Sequence, residues 1–193
     1  MKILEIKWMS LMKKLNLNLF KFTIIIFFIL SNTAYSEVKF IKSVVEKVIV
    51  TDGDSIKIGK EKIRLYGIDA PEMKQICNDK YNNPYACGHV SKKFLADLLY
   101  IKSSGKQIFC YYSERDKYKR IIGDCHIGAN NEIGINYSMV LYGHAVAYTR
   151  YSEKYLYAQD QAKSYKFGLW SGTFDLPEAV SYTHLTLPTK RIV

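Results

Sequence analysis

The strongest constraint on the fold of this chain lies in residues 38–68, where β-branched residues partly alternate with polar ones. The pair Asp52-Gly53 interrupts this run and is a strong hairpin signal. Residues 55–58 alternate cleanly after it, and a second turn at Gly59 leads into residues 62–68. The pattern therefore predicts three consecutive antiparallel strands, at 38–50, 55–58 and 62–68.

The remainder of the domain predicts helices and a second hairpin. Residues 88–100 place an apolar stripe on one helical face, formed by Val90, Phe94, Leu95, Leu98 and Leu99. Residues 107–112 and 120–127 are expected to pair as a hairpin, and two helices are expected at 134–142 and 152–167, the second with Gly168 as its C-cap. Five short strands and three helices predict an α+β domain, a small barrel with helices packed beside it.

Both ends of the chain differ from this domain. Residues 1–36 contain lysines, the apolar run 22–30 and a small-x-small pattern ending at Ser36, the layout of a signal peptide. We expect cleavage near Ser36 and export to the periplasm or the medium, without stable membrane association afterwards. An uncleaved anchor is the alternative, and translation starts at Met1 or Met12. Residues 180–193 look like a translated sequencing adapter, which we interpret as read-through; a short disordered tail is the alternative.

The charge of the chain has to be counted without these ends. The full sequence carries a formal net charge of +10, which suggests an anionic partner such as nucleic acid or a membrane surface. Residues 37–179 contain 21 Lys and Arg against 17 Asp and Glu, a net charge of +4. This modest excess does not by itself identify a nucleic-acid-binding protein.

Four cysteines lie within residues 37–179. An even number in an exported domain favours two disulfides. Three connectivities are possible, and local geometry favours Cys77–Cys87 and Cys110–Cys125. A structural zinc site is the alternative, but the sequence has neither a Cys-x-x-Cys pair nor two His at ligand spacing.

Three carboxylates follow the ends of the predicted strands. Asp54, Asp69 and Glu72 can converge at one edge of the sheet, although each alone has an ordinary explanation as a turn or cap residue. Hard oxygen ligands without His or Cys suit Ca²⁺, and Mg²⁺ less well. Nearby arginines, Arg64 and Arg120, fit a bound phosphate, because an Arg fork holds phosphate oxygens bidentately.

The chain resembles the thermonuclease (staphylococcal nuclease) family over about residues 44–172. The motifs that carry the resemblance occur in order at 50–55, 64–72 and 116–120, followed by Asn136, Gly143-His144-Ala145, 148–151 and 168–170. The resemblance implies a five-stranded OB-fold barrel with three helices. It also implies a Ca²⁺-dependent endonuclease that hydrolyses phosphodiester bonds of DNA and RNA and leaves 3′-phosphates.

Residue roles follow from the same resemblance. It implies that the side chains of Asp54 and Asp69 and the backbone carbonyl of Ala70 hold Ca²⁺, with Asp52 beside these ligands. Glu72 would be the general base. Arg64 and Arg120 would grip the scissile phosphate. Tyr148 and Tyr151 would stack on substrate nucleotides, which favours single-stranded or frayed nucleic acid; packing in the core is the alternative for both.

This sequence departs from the family pattern at two positions and in one stretch, since residues 77–87 are longer than usual and disulfide-like, as in exported bacterial relatives. Ala70 replaces the usual Thr, which removes a hydroxyl but keeps the backbone carbonyl. Lys119 replaces the usual Gly before Arg120, so we expect the loop that presents Arg120 to differ in conformation.

Two other classes of function were weighed against the enzyme. A non-catalytic OB-fold domain that binds nucleic acid would not need the carboxylates and arginines, which are all present. A cationic surface adhesin would explain the charge but not the acidic cluster. The sequence therefore favours a monomeric nuclease.

Overall fold

The computed structural model describes residues 38–102, 106–128 and 130–180. The predicted leader and nearly all of the predicted tail lie outside these residues. In chain order the elements are β1 (Lys39–Val44), a 3-10 turn (Val45–Lys47), β2 (Val48–Asp52), β3 (Ser55–Ile58), β4 (Glu61–Leu65), β5 (Ile68–Asp69), β6 (Cys77–Asn78), β7 (Pro84–Tyr85), α1 (Cys87–Lys102), β8 (Gln107–Tyr112), β9 (Ile121–Ile127), β10 (Ile133–Gly134), α2 (Ile135–Leu141), β11 (Val146–Ala147), α3 (Leu156–Ser164) and a second 3-10 helix (Gly168–Ser171).

The main sheet has the strand order β1-β8-β9-β4-β3-β2, and β10 pairs with β9 beside this path. The predicted meander is confirmed as β2, β3 and β4, and the predicted hairpin as β8 and β9. A single first strand over 38–50 was wrong. The buried side chain of Val45 turns the chain towards the core, so β1 pairs with β8 while β2 pairs with β3.

The α+β class is confirmed, whereas a closed barrel is not. Among the described residues no hydrogen bonds join β1 to β2, which are the two ends of the strand path. Three residues of chain, Val45–Lys47, connect these two strands instead. The sheet is therefore open, because no hydrogen bonds join its two end strands, although β1 and β2 are consecutive in the chain.

The main core lies between the sheet and the helices. α1 confirms the predicted helix, and Phe94, Leu95, Leu98 and Leu99 contribute to the core as expected. Val90 does not, because its side chain is 43% exposed. Among the described residues, no helix has the length and the apolar character needed to cross a bilayer.

The last predicted helix is shorter than expected. α3 begins after Tyr155, whose buried side chain donates a hydrogen bond to Asp124 of β9 and so links the helix start to the sheet (Oη to Oδ1, 2.8 Å). α3 ends at Ser164, and Gly168 begins the second 3-10 helix instead of capping α3. The prediction of Gly168 as the C-cap was therefore wrong.

Both predicted disulfides are present, and no free cysteine occurs among the described residues. Cys110 and Cys125 face each other across β8 and β9 and are fully buried in the main core. Cys77 and Cys87 instead form a separate small cluster with Leu169. The two bridges therefore stabilise different parts of the domain.

Replacement of the Cys110–Cys125 bridge by two alanines is expected to lower the free energy of unfolding by about 3 kcal/mol. The bridge closes a loop with a sequence separation of 15 residues, and its loss frees the unfolded chain. Urea denaturation of the double variant against the unchanged protein measures the difference. An unchanged transition midpoint would show that strand pairing alone holds β8 and β9 together.

Candidate active site

Asp54 occupies the turn between β2 and β3 and is 7% exposed. Its backbone carbonyl accepts a hydrogen bond from Leu65 N–H at 2.8 Å, which brings the end of β4 to this turn. Its Oδ2 accepts another from Ala70 N–H at 3.0 Å, and its Oδ1 accepts one from the Ser55 hydroxyl at 3.0 Å. One carboxylate thus joins the turn to the segment that follows β5.

Arg64 of β4 binds both predicted metal-ligand carboxylates. Its Nη1 contacts Asp54 Oδ2, and its Nη2 donates to Asp69 Oδ1 at 2.5 Å. The three side chains are largely buried, with 17%, 10% and 13% of the side chain of Arg64, Asp54 and Asp69 exposed. The prediction that these residues meet at one edge of the sheet is therefore supported by their contacts.

Glu72 adds negative charge to this group. Burial raises the pKa of Asp52 and of Asp69, and the charge of Glu72 raises both further, while Arg64 opposes the shifts. Glu72 therefore lies near both aspartates. Asp52 accepts a hydrogen bond from Gly53 N–H at 2.7 Å. Among the described residues, its side chain forms no hydrogen bond with Arg64 or Arg120.

The acidic group supplies two of the oxygen donors that a divalent cation would need. Asp54 and Asp69 are donors of the kind that Ca²⁺ prefers, and both contact the guanidinium of Arg64. Within the described residues, no group of three or more His, Cys, Asp and Glu side chains is arranged as a metal site. A backbone carbonyl such as that of Ala70 would have to complete the donor set.

Arg120 lies in the loop directly before β9, the strand that neighbours β4. β4 and β9 are parallel, with Arg64 opposite Ile122, and Arg120 precedes Ile122 by two residues. The guanidinium of Arg120 is bound to Asp116, Nε to Oδ2 at 2.7 Å.

The loop that presents Arg120 has a glycine-like backbone at Lys119. The φ of Lys119 is 64°, in the left-handed region that favours glycine. Asp116 holds the loop by accepting hydrogen bonds from the backbone N–H groups of Tyr118 at 2.9 Å and Arg120 at 2.8 Å. Lys119 thus adopts a backbone geometry open to glycine, and the expected difference in the conformation of this loop stays a prediction.

Tyr148 and Tyr151 lie together at the edge of the carboxylate group. β11 pairs with β5, with Val146 opposite Asp69, and the N–H of Tyr148 donates to the carbonyl of Gly67 at 2.9 Å. Burial raises the pKa of Tyr148, and the charges of Glu178 and Asp69 raise it further. The two tyrosine rings meet edge to face at 4.9 Å, and Tyr151 is 68% exposed. Packing in the core is therefore wrong for Tyr151.

Three residues of the site were missed by the sequence reasoning. Glu178 raises the pKa of Asp69, and Lys92 of α1 lowers that of Asp52, so both lie near the carboxylates. Gln75 is 6% exposed and binds the backbone of Glu72. None of the three belongs to a motif, so the sequence contained no signal for them.

The sequence model of the family described as "Staphylococcal nuclease homologue" matches residues 62–172. This is more than half of the chain. The chain belongs to the staphylococcal nuclease family. The match begins after Asp54, which Arg64 and Ala70 tie to the matched region.

Curated relatives of the family agree with this assignment. The chain is 33% identical over 128 residues to the succinoglycan biosynthesis protein ExoI of Rhizobium meliloti, and the match covers 66% of this chain and 64% of that protein. It is 32% identical over 136 residues to an "Uncharacterized endonuclease" of Escherichia coli, covering 67% and 78%. It is 31% identical to the probable staphylococcal-like nuclease CAN3 of Oryza sativa subsp. japonica, covering 65% and 29%.

The staphylococcal nuclease family assignment confirms the resemblance found in the sequence. Together with the relatives that are named nucleases, it supports the predicted enzyme class, a nuclease hydrolase.

Substitution of Lys119 by glycine is expected to raise the free energy of unfolding by about 1 kcal/mol. A non-glycine residue in the left-handed region is strained, and glycine removes that strain at a smaller cost in unfolded-chain entropy. Urea denaturation measures the change. The matched control is Lys117→Gly in the same loop, which lies outside the left-handed region and should gain nothing. Equal effects of the two substitutions would contradict the assignment of strain to Lys119.

Proposed function

We propose that this protein is an exported, Ca²⁺-dependent endonuclease that hydrolyses phosphodiester bonds of DNA and RNA and leaves 3′-phosphates. The observation that carries the proposal is the contact of one guanidinium, that of Arg64, with both Asp54 and Asp69, beside Glu72. The group combines cation-binding carboxylates with a phosphate-binding side chain in one small volume.

Ca²⁺ held by Asp54, Asp69 and the Ala70 carbonyl would offset the charge of the phosphate. Arg64 contacts Asp54 through Nη1 and donates to Asp69 through Nη2, and its guanidinium has five N–H donors, so others can reach phosphate oxygens. Arg120 can bind the same phosphate from the loop that precedes β9. Glu72 accepts the proton of the attacking water and thereby acts as the general base.

The position of the carboxylates argues against a module that only binds nucleic acid. Asp52, Asp54, Asp69 and Glu72 lie on the face that carries Arg64, and such a cluster would repel phosphates in a simple binding surface. Their presence at this face is explained if they bind a cation and activate water. The adhesin alternative gives these residues no role.

Two further parts of the proposal concern the exported state and the shape of the sheet. The two disulfides suit an oxidising compartment, which agrees with the predicted leader, and we expect a monomer. For the sheet we propose an OB-type barrel that is open between its end strands β1 and β2, which three residues connect.

Cleavage by the purified protein is expected in Ca²⁺ and is expected to stop when a chelator removes the cation. Gel assays with single-stranded DNA, double-stranded DNA and RNA, each with Ca²⁺ or chelator, measure this. The absence of cleavage in Ca²⁺ would overturn the enzyme proposal, and equal cleavage with the chelator would overturn the role of the cation. End-group analysis of the products tests the 3′-phosphate.

Substitution of Glu72 by glutamine is expected to lower kcat by roughly 10²- to 10⁴-fold, because the amide cannot accept the proton of water. The thermal unfolding midpoint should stay close to that of the unchanged protein. The matched control is Glu153→Gln, an exposed residue before α3 that should retain full activity. Near-normal kcat in the Glu72 variant would mean that another group is the base.

Substitution of Tyr151 by alanine is expected to raise KM for single-stranded DNA by about tenfold, since an exposed aromatic ring contributes to stacking on unpaired bases. Initial rates over a range of substrate concentrations give KM and kcat. Tyr157→Ala is the control, because Tyr157 is also 68% exposed and lies on α3. If both variants show the same KM, Tyr151 has no role in substrate binding.

A further inference from the structure

Both backbone groups of Glu72 are bound by one residue, Gln75. The N–H of Glu72 donates to Gln75 Oε1 at 3.1 Å, and the carbonyl of Glu72 accepts a hydrogen bond from Gln75 N–H at 2.8 Å. Gln75 is 6% exposed. The peptide groups on both sides of the proposed general base are therefore held by a residue that solvent hardly reaches.

The other end of the Gln75 amide binds the C-terminal part of the domain. Its Nε2 donates to the backbone carbonyl of Asp175 at 2.7 Å. A carbonyl only accepts and a backbone N–H only donates, so these two partners set the orientation of the amide. The side chain at position 75 must therefore offer one donor and one acceptor at its end, and a glutamine amide provides both.

The segment that contains Asp175 is itself anchored. Thr173 exchanges two backbone hydrogen bonds with Asn78, at 2.9 and 3.0 Å. Phe174 packs against the small cluster of Cys77, Cys87 and Leu169. The carbonyl that binds Gln75 therefore belongs to a part of the chain fixed by strand pairing, by a ring contact and by the Cys77–Cys87 bridge.

Helix α1 also contacts the backbone of Glu72. A Cβ atom placed on Gly88 would lie 2.0 Å from the carbonyl oxygen of Glu72 and 2.8 Å from the Cα of Met73. The first turn of α1 is thus in direct contact with this backbone. The backbone of Glu72 is thus contacted by both Gly88 and Gln75, and these contacts leave it little room to move.

We propose that Gln75 is the positioning residue of the active site and that its side chain couples the C-terminal segment 173–175 to the backbone of Glu72. The inference rests on the proposed function and deepens it by assigning roles to residues outside the reacting groups. A displacement of a catalytic group by about 1 Å can lower a rate about 100-fold. The buried amide thus holds Glu72 in place without touching the substrate.

The first test compares two buried glutamines. Gln75→Met keeps the size of the side chain and removes both hydrogen bonds, and we expect kcat to fall about 100-fold with KM changed less than threefold. Gln159→Met is the matched control, because Gln159 is 8% exposed and its Oε1 accepts from Ala147 N–H at 3.0 Å. The Gln159→Met variant should lose about as much free energy of unfolding as Gln75→Met but should retain kcat within threefold. Equal losses of kcat in the two variants would overturn the proposal.

The second test asks whether Gln75 acts through Glu72. In a Glu72→Gln background, the Gln75→Met substitution should change the residual kcat less than threefold, because no base remains to be positioned. A further 100-fold loss would show a role unrelated to Glu72. In Gln75→Glu, kcat relative to the unchanged protein should rise as the pH falls, since a protonated carboxyl can again donate to the Asp175 carbonyl.

A third measurement does not depend on activity. Backbone amide hydrogen exchange at Glu72 should be slow in the unchanged protein and in Gln159→Met and should become fast in Gln75→Met. If the protein shows no cleavage in Ca²⁺ while this exchange pattern holds, the proposed function fails and the positioning contact stands. Unchanged exchange in Gln75→Met would overturn the positioning role whatever the activity.

Discussion

The interaction on which the rest of the site depends is the contact of Arg64 with Asp54 and Asp69. It joins three separate pieces of chain: the turn after β2, the strand β4 and the short strand β5. Loss of one partner from such a buried group leaves a buried charge uncompensated, which lowers the free energy of unfolding by about 3–5 kcal/mol. The guanidinium that we expect to bind phosphate therefore also holds the carboxylates in place before any substrate arrives.

The parallel pairing of β4 with β9 determines where the second arginine lies. The two strands are separated in the chain by the Glu72 loop, by α1 and by β8, yet the register places Arg64 opposite Ile122. Arg120 consequently lies in the loop that leads directly into the strand beside β4. Its loop is stabilised by Asp116 and by the left-handed backbone of Lys119, so its position depends both on sheet order and on local hydrogen bonds.

Glu72 lies between the two hydrophobic clusters of the domain. Ala70, two residues before it, belongs to the main core, whereas Cys77, five residues after it, belongs to the small cluster with Cys87 and Leu169. The backbone between these two anchors is bound by Gln75 and contacts α1. A loop of few residues is in this way held at both ends and in the middle, which suits the precise placement of a base.

The sequence by itself determined the meander β2–β4, the helix α1, the hairpin β8–β9, the two disulfides and the residues of the Arg64 group. All of these depend on periodicity, on turn residues such as Asp52-Gly53, or on close spacing along the chain. Only the tertiary structure decided that the first strand divides at Val45, that α3 starts after Tyr155, and that Gln75 and Glu178 lie at the site. The physical reason is the distance along the chain: Gln75 bonds to a carbonyl 100 residues away, and a single polar side chain has no periodic pattern that could indicate so distant a partner.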